Sequence, residues 1–317
     1  MKCKICDNEE DNEVYEAREM MFGQRETFRY FLCSKCQCLQ IETTPQNISK
    51  YYPDNYYSLN HVVRPQRKLR SLPSRLRDKY AIWNNGLAGK LIYARYPNYN
   101  LRTLNALSIN KDTSILDIGC GTGKSVYSLR ELGFKNLLGA DPYIDSDIKY
   151  NNGVRIQKKT VREVDGKWDV VMLHHTFEHI ENPLETLQLI AKLLTSNGHC
   201  IIRIPIVPSY AWEHYGVNWV QLDAPRHLFL HSVKSMNILT DQCGLKIQNV
   251  VYDSTAFQFW GSEQYVRDIP LKDKRSYSVN ADTSIFTKKE ILNFTKRARE
   301  LNLTSRGDQA IFYISKS

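Results

Sequence analysis

At 317 residues and 36.9 kDa, the chain has length for about two domains of roughly 150 residues each and enough to bury a sizeable core. An apolar share of 42% and a mean hydropathy of -0.47 describe a soluble globular protein. No stretch approaches the roughly 18 consecutive apolar residues of a membrane span, and the opening MKCKICDNEE lacks the apolar run of a secretory signal, so a cytoplasmic location is expected. Forty-three Lys and Arg against 34 Asp and Glu give a net charge of +9, which favours phosphates, nucleic acid or a peripheral contact with an acidic membrane face, without choosing among them.

Five of the eight cysteines, Cys3, Cys6, Cys33, Cys36 and Cys38, fall in the first forty residues. Where thiols stay reduced, two C-x-x-C pairs read as a metal site before they read as disulfides. Each pair places two thiolates on one knuckle, so Cys3, Cys6, Cys33 and Cys36 close a tetrahedral zinc site. Buried structural thiols and iron–sulfur ligation are the weaker alternatives. A four-thiolate shell has no open position, so the zinc is expected to be structural, a staple for a segment too short to bury a sufficient core. Cys38 is expected to lie outside the ligand set.

Residues 1–60 are therefore expected to form a zinc ribbon that ends in the tyrosine-rich YYPDNYYS. Residues 61–100 follow as a basic helical connector with Arg64, Arg67, Lys68, Arg70, Arg75 and Arg77, in which Pro65 and Pro73 are expected to break any long helix. The basic stretch is either a phosphate or membrane-surface contact or a solvated linker. Tyr51, Tyr52, Tyr56 and Tyr57 either pack the ribbon onto the next domain or line a cleft where an aromatic face stacks on a sugar or base.

From Ser114 the elements alternate: SILDIGCGTG, SVYSLRELG, NLLGADPY, a loop, WDVVMLHHTFEHI, LETLQLIAKLLTSNG and HCIIRIPIV. Short apolar runs between amphipathic stretches predict βαβ units around a parallel sheet, with ligand beyond the carboxyl ends of the strands. SVKSMNILTDQCG then predicts a helix, LKIQNVVYD a strand and QAIFYISK a last strand, while residues 257–306 read as mostly helical.

At the end of the first of these strands stands Asp117-Ile118-Gly119-Cys120-Gly121-Thr122-Gly123. Glycines let the backbone turn tightly and approach a ligand without Cβ clashes. The spacing G-x-G-x-G differs from the G-x-G-x-x-G of a dinucleotide fold, so no pyrophosphate is implied. The loop resembles the first motif of class I S-adenosylmethionine-dependent methyltransferases. The resemblance implies an α/β, Rossmann-like, seven-stranded domain over residues 101–317; it does not extend to residues 257–306, where any substrate-specific insertion would lie. It implies cofactor contacts at Asp117, Gly119, Cys120 and Gly121, with Asp141 accepting from the ribose hydroxyls and backbone at His174 and His175 closing over the methionine portion. The adenine contact is placed by position at Thr160 and Val161, helped by Glu163 or by backbone amides. FEHIENPLETLQLIAKLLTSNGHCIIRIP and NWVQLDAPRHLFLHS are similar to methyltransferases of bacterial polysaccharide and modified-sugar pathways, several of which carry a four-cysteine ribbon. Sugar C-methyltransferases are also similar but longer, with a further C-terminal domain.

The donor's sulfonium is already electrophilic, so the protein must hold a nucleophile in line with the methyl group. A sugar hydroxyl needs a base, and histidine suits neutral pH. His179 is the first candidate: the resemblance implies that it faces the methyl-transfer centre and that Glu178 or His175 lies near cofactor or substrate, with His227 as a further candidate; His179 as a loop-orienting residue is the competing reading. His174 is also expected to serve packing. Asp223 and His227 are candidates for substrate contact and Arg226 for a phosphate; alternatively this stretch is a structural loop, with His231-Ser232 at a helix entrance.

The expected partner is a small molecule, a phosphate-bearing sugar or glycan intermediate. An RNA methyltransferase built on the ribbon and connector is less favoured, because no Asn-Pro-Pro-Tyr type motif is present and the arginines gather in one linker. A binding protein that keeps the fold without turnover is the remaining alternative.

Overall fold

The computed structural model describes residues 1–52 and 68–317. At the amino terminus, β1 (Glu13–Arg18), β2 (Thr27–Leu32) and β3 (Leu39–Ile41) form an antiparallel meander with buried residues on both faces, Tyr30, Leu39 and Ile41 on one and Phe31 and Gln40 on the other. Tyr56, Tyr57, Arg64 and Arg67, singled out above, lie outside the described residues.

Three helices follow: α1 (Lys68–Trp83), α2 (Leu87–Arg95) and α3 (Tyr99–Arg102). Contrary to expectation, Pro73 sits inside α1 rather than ending it. A proline removes one N–H from the helical ladder. Here the helix continues because its later turns bury Ala81 and Ile82 in a core with Leu101 and Leu104.

The αβ unit runs β4 (Ile115–Ile118), α4 (Lys124–Glu131), β5 (Leu137–Ala140), β6 (Ile148–Lys149), β7 (Arg155–Gln157), β8 (Trp168–His174), α5 (Pro183–Leu193) and β9 (Leu194–Pro205). It continues through α6 (Tyr210–Tyr215), β10 (Phe229–Leu230), α7 (Val233–Gln242), β11 (Leu245–Tyr252), α8 (Phe257–Val266), α9 (Lys288–Leu303) and β12 (Gln309–Lys316).

The large sheet has the order β11-β12-β9-β8-β4-β5-β7-β6. Its centre, from β7 to β9, is parallel, and β12 runs antiparallel to β9. Seven strands match the expected sheet, and the two-residue β6 adds an eighth at the edge through a hairpin with β7. That hairpin lies in the stretch read as a loop, because three residues are too few to display a period of two. The order reverses between β4 and β8, so the crevice beyond β4, β5 and β8 is where such a sheet binds its ligand.

The ribbon is not a separate bead. β10 pairs with β3, Phe229 opposite Gln40 and Leu230 opposite Leu39, and completes a four-stranded sheet with the ribbon. One apolar core runs from Cys3, Tyr30 and Leu39 to Leu116, Val171 and Ile202 of the large sheet. In the 257–306 region, α8 and α9 flank an irregular link whose Leu271 and Lys272 amides donate to the carbonyls of Met20 and Met21.

Candidate functional site

The glycine loop joins β4 to α4 through backbone that an L side chain resists. Gly119 has φ +68° and Gly123 +80°; a Cβ on Gly119 would stand 2.2 Å from Thr176 Cγ2, and one on Gly123 would stand 2.1 Å from Ile156 Cδ1. Asp141, the first residue after β5, accepts the Gly121 amide on Oδ2 at 2.7 Å and the Tyr143 amide on Oδ1 at 2.9 Å. The acid and the loop therefore form one cradle. Burial raises Asp141 above the ordinary carboxylate value; burial, then the Asp141 charge, raises Asp117 to about 8. Cys120 turns its thiol toward Gly139, where a Cβ would meet it at 2.7 Å. Thr160 and Glu163, three and six residues beyond β7, cap a helical turn on each other: Glu163 Oε2 accepts from both the amide and the hydroxyl of Thr160 at 2.8 Å.

At the amino terminus, Cys3, Cys6, Cys33 and Cys36 bring their sulfurs within 4.8 Å of one another. Two Sγ···Sγ separations, Cys3–Cys36 and Cys6–Cys33, are 3.5 Å. That is far beyond a disulfide bond and close to the edge, about 3.7 Å, of a tetrahedron with metal–sulfur bonds of ~2.3 Å. The Ile5 amide and Gln40 Nε2 donate to Cys3 Sγ at 3.4 and 3.1 Å, as suits a thiolate. The donor set fits a closed metal centre. Cys38, fully buried against Leu39 and His231, stands apart.

Beyond β8, His175 has φ +52° and a single helical turn over 177–179 brings Glu178 and His179 inward. The loop before β10 brings His227 to them: the rings of His179 and His227 meet edge-on at 4.7 Å, and the Leu228 amide donates to the Glu178 carbonyl at 2.8 Å. Carbonyl oxygens only accept, so the bonds from His179 Nδ1 to Arg226 O and from His227 Nδ1 to Gln221 O, both 2.8 Å, fix Nδ1–H in each ring. Neutral, each ring then has its lone pair on Nε2. The Tyr52 hydroxyl lies 3.1 Å from His179 Nδ1. Burial, then His227, pushes His179 below the ordinary imidazole value. Burial opposes the charge on Glu178, but the surrounding histidines, His175 foremost, hold its carboxyl at about 2.

His174 does not join this group. Its Nε2 lies 3.1 Å from Thr103 Oγ1, whose own hydrogen is on the Asn100 carbonyl, and burial holds the ring near a pKa of 3. Arg226 is corrected from phosphate ligand to structural residue: its guanidinium is buried and donates to Glu19, Asp223 and the Tyr51 carbonyl. Ser232 caps α7 as the helix-entrance reading has it. Arg203, buried in β9, was missed; it donates to His175 Nε2 at 2.9 Å and pairs with Asp253 at 2.6 Å. A charged residue inside the apolar run IIRIPI was the available signal. Glu19 carried none.

Residues 93–250 match a family described as a methyltransferase domain. Over 100 residues the chain is 33% identical to a ubiquinone biosynthesis O-methyltransferase of Rickettsia bellii, a stretch that is 29% of this chain and 41% of that protein. The chain thus spans less than half the length of that curated relative. Among solved structures, a putative sarcosine dimethylglycine methyltransferase from Galdieria sulphuraria is similar at 12% identity and a TM-score of 0.45, covering 77% of this chain and 98% of that one. A SAM-dependent methyltransferase from Archaeoglobus fulgidus is similar at 19% identity and 0.43, covering 72% and 94%.

Proposed function

Residues 93–250 are a methyltransferase domain of the class I, Rossmann-like fold, and from that premise we propose that the chain transfers a methyl group from S-adenosylmethionine to a hydroxyl of a small-molecule acceptor, a phosphate-bearing sugar or glycan intermediate. The observation that carries the cofactor half is the Asp141–Gly121 bond, which joins the strand-end acid to the glycine loop and leaves carboxylate lone pairs for ribose hydroxyls. Asp117, Gly119, Cys120 and Gly121 line the same loop, with Thr160 beside the adenine end. The thiolate centre is read as structural zinc, in keeping with its closed donor set.

The acceptor half rests on Glu178, His179 and His227. A neutral amine already carries a lone pair, whereas a hydroxyl must lose a proton, so a group of buried proton acceptors favours oxygen as the methylated atom. The acceptor's O–H bond breaks toward the free nitrogen of His179 as the oxygen displaces the methyl group in line from the sulfonium. The products are the methyl ether, S-adenosylhomocysteine and an imidazolium that Glu178 stabilises, with His175 and Arg203 behind it. The net charge of +9 suits a phosphate on the acceptor. The Rickettsia relative's name, an O-methyltransferase, agrees with oxygen as acceptor.

The test is calorimetric titration with S-adenosylhomocysteine, then transfer of labelled methyl from S-adenosylmethionine to nucleotide sugars, phosphorylated glycan precursors and short RNA. Cofactor binding followed by a labelled sugar supports the reading. Labelled RNA with a steep salt dependence replaces it with the nucleic-acid reading. His179→Ala is expected to lower turnover and leave cofactor affinity unchanged; unchanged turnover removes His179 from the reaction.

A further inference from the structure

We propose that Glu178, His179 and His227 form a second metal site, one that takes a divalent transition-metal ion of the zinc, cobalt or nickel kind. One ligand atom from each residue lies within 4.8 Å of the other two. Glu178 has no exposed surface, and neither of its oxygens receives a hydrogen bond of good geometry; the imidazole nitrogens His175 Nδ1 and His227 Nε2 stand 3.3 and 3.9 Å from Oε1. A buried carboxylate so placed calls for a cation.

The two histidines are set up to supply the other ligands. Each fixes Nδ1–H on a backbone carbonyl, which leaves Nε2 as the donor nitrogen. Metal-binding imidazoles are characteristically held this way, with the second ring nitrogen on a carbonyl or carboxylate. Two imidazoles and a carboxylate suit zinc, cobalt, nickel or iron rather than magnesium or calcium, which prefer all-oxygen shells. Metal–ligand bonds of about 2.0–2.2 Å draw the ligand atoms to roughly 3.0–3.6 Å apart, so the 3.9 Å between His227 and Glu178 would contract by only a few tenths of an ångström. Unlike the four-thiolate centre, three ligands leave coordination positions open.

The existence of the site is independent of the methyl-transfer reading; its role rests on it. With the cation bound, His179 is a ligand rather than the base. The ion would then supply Lewis acidity to an acceptor oxygen at an open position, and the acceptor's proton would leave to water instead of to His179.

The test uses the full chain with its ribbon zinc in place. Cobalt(II) is titrated in while absorption and binding heat are followed. One added cobalt per chain is expected, with the d–d bands of nitrogen and oxygen ligation and no thiolate-to-cobalt charge-transfer band. Glu178→Gln and His227→Gln should each abolish that equivalent while still binding S-adenosylhomocysteine. No added cobalt, cobalt with the thiolate band, or binding that survives both substitutions overturns the site. Should a variant lose S-adenosylhomocysteine binding, the unmodified protein decides: cobalt should protect His179 and His227 from diethylpyrocarbonate, and undiminished modification overturns the proposal. Neither readout measures turnover, so failure of the methyl-transfer reading is told apart from failure of the metal site.

Discussion

Nη2 of Arg226 donates to Oε1 of Glu19 across 2.9 Å, with both side chains fully buried. Glu19 belongs to the ribbon, where its two oxygens also accept the amides of Phe22 and Gln24 at 2.9 Å. Arg226 belongs to the αβ unit, and its carbonyl holds Nδ1–H of His179. One ion pair therefore ties the amino-terminal segment to the histidine cluster. Tyr30 of β2 adds a second tie through its hydroxyl, which donates to the His227 carbonyl at 2.8 Å.

Glu19→Gln should be costly, since it removes one carboxylate from a buried guanidinium. Breaking a buried pair costs about 3–5 kcal/mol, and the retained bonds to Asp223 point to the lower end. Thermal melts should show the loss. Calorimetry should find S-adenosylhomocysteine affinity unchanged while turnover falls. A variant as stable and as active as the parent would show that the pair orders nothing.

Asp141→Ala should abolish detectable binding of S-adenosylhomocysteine with the fold retained by circular dichroism. Two hydrogen bonds from ribose hydroxyls to a carboxylate account for about 3–6 kcal/mol, or roughly 100-fold and more in affinity. Asp141→Asn keeps an oxygen for the Gly121 or the Tyr143 amide, so its fold should be the less disturbed of the two. Normal affinity in both variants would sink the assignment of this acid.

Cys36→Ser opens the thiolate centre without touching the cofactor cradle. Because β3 pairs with β10 and Tyr30 braces His227, turnover should fall with the ribbon while cofactor binding persists. Zinc content by mass spectrometry and S-adenosylhomocysteine calorimetry on the same sample decide it. Joint loss of zinc and cofactor binding would contradict a separation of the two sites.

Acid should destabilise the protein through buried neutral imidazoles. His231 has no exposed surface and stacks on Phe229, and burial depresses its pKa to about 3, below the unfolded value of about 6.5. The folded state therefore binds fewer protons. Its contribution is fully present above pH ~6.5 and is lost as pH falls toward 3, at up to about 1.4 kcal/mol per pH unit. His174, depressed to about 3, acts in the same direction. Urea unfolding of His231→Phe between pH 4 and pH 7, a window set by these two values, should show a shallower pH slope than the parent. Equal slopes would refute the assignment.

What could be read along the chain was whatever contiguous residues specify. The C-x-x-C knuckles, the glycine turn after an apolar strand and the acid at the next strand end each need only a few neighbours to declare their geometry. The glycine loop with Asp141, the four-cysteine cluster and the apolar strands β4, β5, β8 and β9 were legible for that reason. Pro73 misled because a single lost N–H is outweighed by the packing of Ala81 and Ile82, and β7 was hidden by its length of three residues. Folding decided which candidates meet. His174 and His175 are adjacent, yet strand alternation sends one to Thr103 and the backbone at φ +52° turns the other to Glu178. Arg226, open along the chain between a phosphate contact and a structural loop, is decided by Glu19, 207 positions earlier and buried against it. Pairings at that separation arise from burial and ion pairing between distant elements, and they leave no periodicity or spacing in the local sequence.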